Sequence, residues 1–416
     1  MKQLLKMSML LIAAFTMSMS FVACSSDDDD DNNKKEEENG SNKEAVISAI
    51  QLYVEDVVYP TYTSLADETE NLAEQLADAR DKFKNNELTD NDLKAVGETF
   101  LKARAYWEAS EAFLYGPATT FGIDPHIDTW PLDVEALARG LSNTQMLNKI
   151  EETGASELAP TLLGFHAIEF VLFRNGQIRT VADLNGNETD QAFAGVTITG
   201  KQELIYAAAV AEDLMQKCFQ LQVAWMGDKA GEERVSLVEE EWELETQIID
   251  DYYGDNLLNA GKAGSTYKAW QDAAVAIISA GCSNICKEVA NTKIGNAWTG
   301  EDPNYIESPY SKKSFLDFYD NIMSIKNSLY GGIDINEPAE NSIMALAKKN
   351  NAELATALTT KLNAALSALK VCMQGPAFVD LITNNNKAAY VDTAVDAINA
   401  LDDELHNAEK WAAEME

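Results

Sequence analysis

Between Glu44 and Phe83 apolar residues fall at Leu65, Leu72, Leu76, Ala79 and Phe83, spaced seven, four, three and four apart. That spacing lines one face of an α-helix, where side chains recur every 3.6 residues. Pro60 has no amide hydrogen and is expected to kink or break the first part of this helix. After a loop from Asn85 to Asp90, a second stripe runs through Leu93, Val96, Phe100, Ala103, Trp107 and Leu114, stopped by Gly116-Pro117. Further helical stretches cover Val134 to Glu151, Pro160 to Arg174, Lys201 to Met226, Thr266 to Val289, Ser314 to Leu329, Asn341 to Met373 and Lys387 to Glu414. β-Branched alternation is confined to Val196–Ile198, within a Gly-, Asn- and Asp-rich connection from Asn175 to Gly200. The fold is expected to be all-α, built from two helical bundles of the four-helix type. A boundary in the long connection gives an N-terminal bundle over 44–185 and a C-terminal one over 186–416.

The N-terminus has a different pattern. Met1, Lys2 and Lys6 make a short basic start, and the apolar run from Met7 to Val22 is too short for a stable span. Residues 1–23 read as a signal peptide. Its end, Phe21-Val22-Ala23-Cys24, resembles a lipobox with phenylalanine in place of the usual leucine, which makes Cys24 the lipid attachment point and the membrane a partner. Residues 24–43 carry five aspartates in a row and little to bury, so they are expected to be a disordered acidic tether. Serine and an acidic run directly after the lipid cysteine look like the signal that sends some Gram-negative lipoproteins to the outer face of the outer membrane; the alternative is a periplasm-facing anchor. No later apolar run is expected to span a bilayer.

Charge narrows the partners. The formal net charge is −36, and loss of Lys2 and Lys6 with the signal takes it to −38. Such a chain repels phosphate backbones, so nucleic acid is excluded and cations are favoured. With Cys24 lipidated, Cys218, Cys282, Cys286 and Cys372 remain. Buried free thiols are the default expectation, because no histidines accompany them and four cysteines allow three pairings.

The segment Thr161-Leu162-Leu163-Gly164-Phe165-His166-Ala167-Ile168-Glu169-Phe170-Val171-Leu172-Phe173 is apolar at nearly every position, yet carries His166 and Glu169 three apart on one helix face. Burying an unpaired carboxylate costs several kcal/mol, so Glu169 needs a cation, a donor or a wet cavity. Histidine and glutamate at this spacing can ligate one metal ion, or simply satisfy each other in the core.

Four segments in order resemble the imelysin family, exported bacterial proteins classed with metallopeptidases and linked to iron uptake. Gly164-Phe165-His166-Ala167-Ile168-Glu169 resembles its Gly-x-His-x-x-Glu motif, Trp107 to Pro117 its Trp-x-x-x-Glu…Gly-Pro helix end, Ile127-Asp128-Thr129-Trp130-Pro131 its Ile-Asp-x-Trp-Pro turn, and Glu307-Ser308-Pro309-Tyr310-Ser311 its Glu-Ser-Pro-Phe-Ser segment. The resemblance implies two bundles related by approximate internal symmetry, with a site in the cleft between them.

Each matched residue has a plainer reading. Arg104, Glu108 and Glu111 at i, i+4 and i+7 could form a surface ion-pair ladder. Trp107 suits the core. Asp128 could cap its turn or supply a second carboxylate. His126 is expected in an exposed loop, and His406 on the surface. Ser308 before Pro309, and Ser314 with Asp317, have the spacing of helix caps.

The preferred function is metal binding in iron uptake, with His166, Glu169, Glu111 and Asp128 as ligands and Gly164, Trp107, Trp130, Arg104, Ser308 and Ser311 lining the cleft. One imidazole among carboxylates suits iron, with zinc as the alternative. An iron or haem ligand and an outer-membrane uptake partner follow from the resemblance. A metallopeptidase using Glu169 as its catalytic group is the alternative, although His-Glu-x-x-His is absent from the sequence. A metal-free interaction module is the third reading.

Overall fold

The computed structural model describes residues 42–415. The signal peptide, Cys24 and all but the last two residues of the expected tether lie outside them. Asn42 and Lys43 are already helical, so the first helix starts before residue 44. It then runs without a break into α1 (Tyr59–Asn85), passing through a π-helical turn at Val54–Val58. That turn explains why Pro60 breaks nothing. The Tyr59 amide reaches back five residues to the Val54 carbonyl, so the ladder is already widened where the proline ring arrives.

α2 (Asp90–Glu108) starts on a capping box, with Thr89 accepting from the Asp92 amide and Asp92 reaching back. It stops six residues short of Leu114. The Ser110 hydroxyl donates to the Trp107 carbonyl at 2.7 Å, and the chain turns into a short 3-10 turn, Glu111–Phe113. α3 (Gly164–Leu172) carries the His-x-x-Glu pair and leads into a minimal hairpin, β1 (Phe173–Arg174) and β2 (Gln177–Ile178), antiparallel with Phe173 opposite Ile178. The first strand lies where helix was expected and the second in the expected connection, whereas 196–198 is not a strand.

α4 (Gly200–Met226) is followed by α5 (Trp270–Thr299), a long helix with π segments at Ile277–Ser283 and Glu288–Lys293. By length and composition α5 could cross a membrane, contrary to expectation. However, 61% of its most apolar window is buried inside the protein, which fits a core helix. α6 (Ser314–Tyr330), α7 (Ala352–Cys372) and α8 (Ala389–Ala413) complete the principal helices. Asn351 and Asn143 each cap a new helix inside stretches expected to be continuous, splitting Asn341–Met373 and Val134–Glu151.

α1, α2, α3 and α4 pack as one group, and α5, α6, α7 and α8 as a second. The groups meet where α2 packs on α6 and where the Glu111–Phe113 turn packs on α5 and α6. The expected boundary between 185 and 186 does not separate them. α4 lies along α1, so the chain returns to the first group after the long connection, and the described residues form one compact unit. Cys218, Cys282, Cys286 and Cys372 are buried free thiols.

Candidate metal centre

Gly164 explains how α3 reaches its neighbours. Its φ is +71°, and a Cβ there would overlap the Ile127 backbone carbonyl. Only glycine lets the start of α3 lie against the Ile127–Asp128 turn, which brings His166 beside Asp128. The turn continues through a cis Trp130-Pro131 bond. Glu111 arrives through the early end of α2, and Glu307 through the loop before α6. Lys293 comes from the last residue of the Glu288–Lys293 π segment.

These residues are buried where the two helical groups meet. Arg104 is 3% exposed, Glu108 0%, Glu111 7%, His166 2%, Lys293 1% and Glu307 0%, so a solvated ion-pair ladder is ruled out. The Arg104 guanidinium bonds Asp128 and Glu108 closely, reaches Glu307 Oε1 at 2.7 Å and lies 3.9 Å from Asp317. Lys293 Nζ stands 3.1 Å from Glu307 Oε1, 3.3 Å from Glu111 Oε1 and 3.8 Å from Glu108 Oε2. His166 Nδ1 is 3.3 Å from Glu169 Oε2, and its Nε2 is 3.1 Å from Asp128 Oδ1 but off the direction of a hydrogen bond.

The expected site residues divide by role. Asp128 is not a turn cap: Trp107, a core residue as expected, donates its indole N–H to Asp128 Oδ2 at 2.7 Å. Glu169 accepts the Ser311 amide at 2.7 Å and faces His166, so it ties α3 to the loop before α6 and orients the imidazole. Ser308 is not a helix cap either. It sits at φ +48° and donates to Asp317 Oδ2 at 2.5 Å, while Ser314 donates to the Glu307 carbonyl; α6 starts without a side-chain cap. Trp130 covers the site, its ring 5.8 Å from the His166 ring and 5.4 Å from the Tyr305 ring, with Lys293 Nζ 5.0 Å from its centroid. His126 is half-buried rather than free in a loop, 2.7 Å from Asp213. His406 Nδ1 contacts the Asp402 carbonyl, away from the site.

Sequence reasoning missed five members: Glu108, which it read only as part of a surface ladder, Glu307, Lys293, Asp317 and Asn321. Glu307 stood within a quoted motif but not in an apolar run; Lys293, with Val289, Ala290 and Ala297 on its helix face, carried the buried-charge signal that singled out Glu169. Asn321 Nδ2 donates to Glu108 Oε2 at 2.5 Å.

Six carboxylates (Glu108, Glu111, Asp128, Glu169, Glu307 and Asp317) surround three basic groups (Arg104, His166 and Lys293). Burial raises the Glu108, Glu111 and Glu307 carboxyls, and pushes Asp317 up to about 7. Asp128 behaves otherwise: burial opposes its charge, but Arg104 and His166 outweigh that and hold it well below the usual carboxylate range. Burial and Arg104 work against the His166 imidazolium, yet Asp128 and Glu169 prevail and hold it at about 9. Three groups of ligand atoms lie within 4.8 Å of one another: Asp128, His166 and Glu307; Glu108, Glu307 and Asp317; and Glu108, Glu111 and Asp128. His166 Nε2 and Glu307 Oε2 are buried without hydrogen-bond partners among the described residues, whereas Glu108 Oε1 is engaged by the Arg104 guanidinium. An imidazole nitrogen and a carboxylate oxygen, buried and incompletely bonded, are the donors a borderline or hard cation takes.

The chain is similar to known proteins over most of its length. It is 28% identical over 357 residues, 86% of this chain and 83% of the relative, to iron-regulated protein A of Synechococcus elongatus. A solved structure from Parabacteroides distasonis, provisionally named an iron-regulated protein A precursor, superposes with a TM-score of 0.70 at 23% identity, covering 88% of this chain and 95% of that one. An imelysin-like protein from Psychrobacter arcticum shares the fold at a TM-score of 0.51 and 13% identity, over 90% of this chain and 94% of that one. The sequence profile of the imelysin family matches residues 58–405, and the chain belongs to that family.

Proposed function

We propose that this protein is an exported, lipid-anchored protein that binds a metal ion, iron by preference, and serves iron uptake. The observation that carries the reading is the pair of buried, unbonded ligand atoms His166 Nε2 and Glu307 Oε2, grouped with Asp128. Asp128, His166 and Glu307 would hold the ion, the ion replacing the proton on His166. Glu307 therefore takes the ligand role expected of Glu169, whose oxygens are engaged by the Ser311 amide and His166 Nδ1. Glu111 belongs instead around Lys293. The name of the Synechococcus relative supports the link to iron, and an anchor on Cys24 suits a protein that captures an ion near the membrane and passes it on.

The test is metal content and affinity of residues 42–416 for Fe²⁺ under argon and for Zn²⁺, comparing the native chain with His166→Ala, Glu307→Gln and Glu169→Ala, with a peptide-cleavage assay on the same samples. Binding lost in the first two variants and weakened in the third supports the reading. Chelator-sensitive cleavage lost with Glu169→Ala would replace it with the metallopeptidase. Equal metal content in all four proteins, without cleavage, would leave the interaction module.

A further inference from the structure

The Lys293 ammonium sits within a triangle of carboxylate oxygens, at 3.1 Å from Glu307, 3.3 Å from Glu111 and 3.8 Å from Glu108. A cation site made only of oxygens has this form, with a metal ion drawing the oxygens closer. Glu307 Oε2, fully buried, has no hydrogen-bond partner there. We propose that Lys293 is a tethered, exchangeable cation occupying a second, all-oxygen ion position formed by Glu108, Glu111 and Glu307, which a hard divalent or trivalent ion takes when Lys293 withdraws.

This rests on the metal-binding reading and extends it from one ion position to two. Of the two permanent cations in the cluster, Lys293 is the one built to leave. Arg104 holds Asp128, Glu108 and Glu307 with a planar fork. Lys293 presents one compact charge on a flexible stem, at longer distances, and regains strong hydration outside. Exchange also improves the charge balance, since six carboxylates face three basic groups and a divalent ion brings one more positive charge than the ammonium it replaces. The backbone is suited to the movement. Lys293 ends a π segment in which the Ile294 amide reaches the Val289 carbonyl at 3.0 Å, and reversion to α-helical pairing would turn its side chain away from the triangle. The Trp130 ring, 5.0 Å from Nζ, and Glu288, whose charge acts on the ammonium, are both only half-buried.

Two measurements test this on residues 42–416. Calorimetric titration with Mn²⁺, and with Fe²⁺ under argon, compares the native chain with Lys293→Gln and Lys293→Arg. Lys293→Gln is expected to bind a second ion, or to bind at least about tenfold more tightly, and Lys293→Arg to bind no better than native. Amine acetylation with peptide mass mapping is expected to leave Lys293 unmodified in the metal-free native chain and to modify it at metal saturation, which needs no variant to fold. A native chain that binds the ion while Lys293 stays protected, with Lys293→Gln no tighter, overturns the inference and leaves the single-ion reading intact. Binding only by Lys293→Gln upholds the inference and refutes metal capture by the native chain. Binding by neither refutes both.

Discussion

At the scale of single residues, the candidate site is held by charges that cannot be exchanged for neutral groups without cost. Gly164 is the most constrained position, since an alanine there would meet the Ile127 carbonyl at a positive φ. Gly164→Ala should lower stability by roughly 1–3 kcal/mol or more and displace His166, read as a fall in Tm together with lost metal affinity. Protonation supplies a second prediction. His166 is raised from 6.5 to about 9, so its contribution to stability is complete below pH 6.5 and lost as pH rises through 9. Asp317 is raised from 3.8 to about 7, so the fold favours its protonated form and stability falls as pH rises between those values. Both act in the same direction. The Tm of metal-free protein should decline from pH 5 to pH 9, and His166→Gln should flatten the part above pH 6.5.

At the scale of elements, α6 turns a polar stripe inward. Ser314, Asp317, Asn321, Ser324 and Ser328 are all buried, and Asn321 and Ser324 serve the other helical group: Asn321 bonds Glu108, and the Ala112 amide donates to Ser324 Oγ at 3.0 Å. Asn321→Ala and Ser324→Ala should each cost about 1–3 kcal/mol by leaving a buried partner unbonded, with helical content by circular dichroism unchanged. The stripe marks what was legible. Apolar periodicity gave the long helices because each buries one continuous face. It did not show where α2 stops or that Asn351 starts a new helix, because hydroxyl and amide bonds to the backbone decide those points. A π turn beside Pro60 leaves no apolar signature at all. For the site, the motif around His166 and Glu169 was legible because charges stood in an apolar run. The pairing of Arg104 with Glu307, 203 residues away, and of Lys293 with Glu111, 182 away, arises only from the meeting of the two groups. So the orienting role of Glu169 and the ligand position of Glu307 could not be told apart beforehand.

At the scale of the whole molecule, the site lies at the junction of the two helical groups, so an ion held there should tie them together. Ion at a hundredfold excess over its Kd should stabilise the fold by about 2.7 kcal/mol, seen as a concentration-dependent rise in Tm that Glu307→Gln abolishes. The anchor proposed at Cys24 gives a cellular prediction. Cys24→Ser should move the protein from the membrane to the soluble fraction, and protease treatment of intact cells should degrade the native protein if it faces outward and spare it if it faces the periplasm.

The central claim is that an ion binds with His166 as its single nitrogen ligand among carboxylates. X-ray absorption at the iron edge of the loaded native protein reads this directly. The account predicts a shell of oxygen neighbours with the outer scattering of one imidazole, and loss of that imidazole in His166→Ala. Iron that washes away from the native protein, or an all-oxygen shell that His166→Ala leaves unchanged, would contradict it.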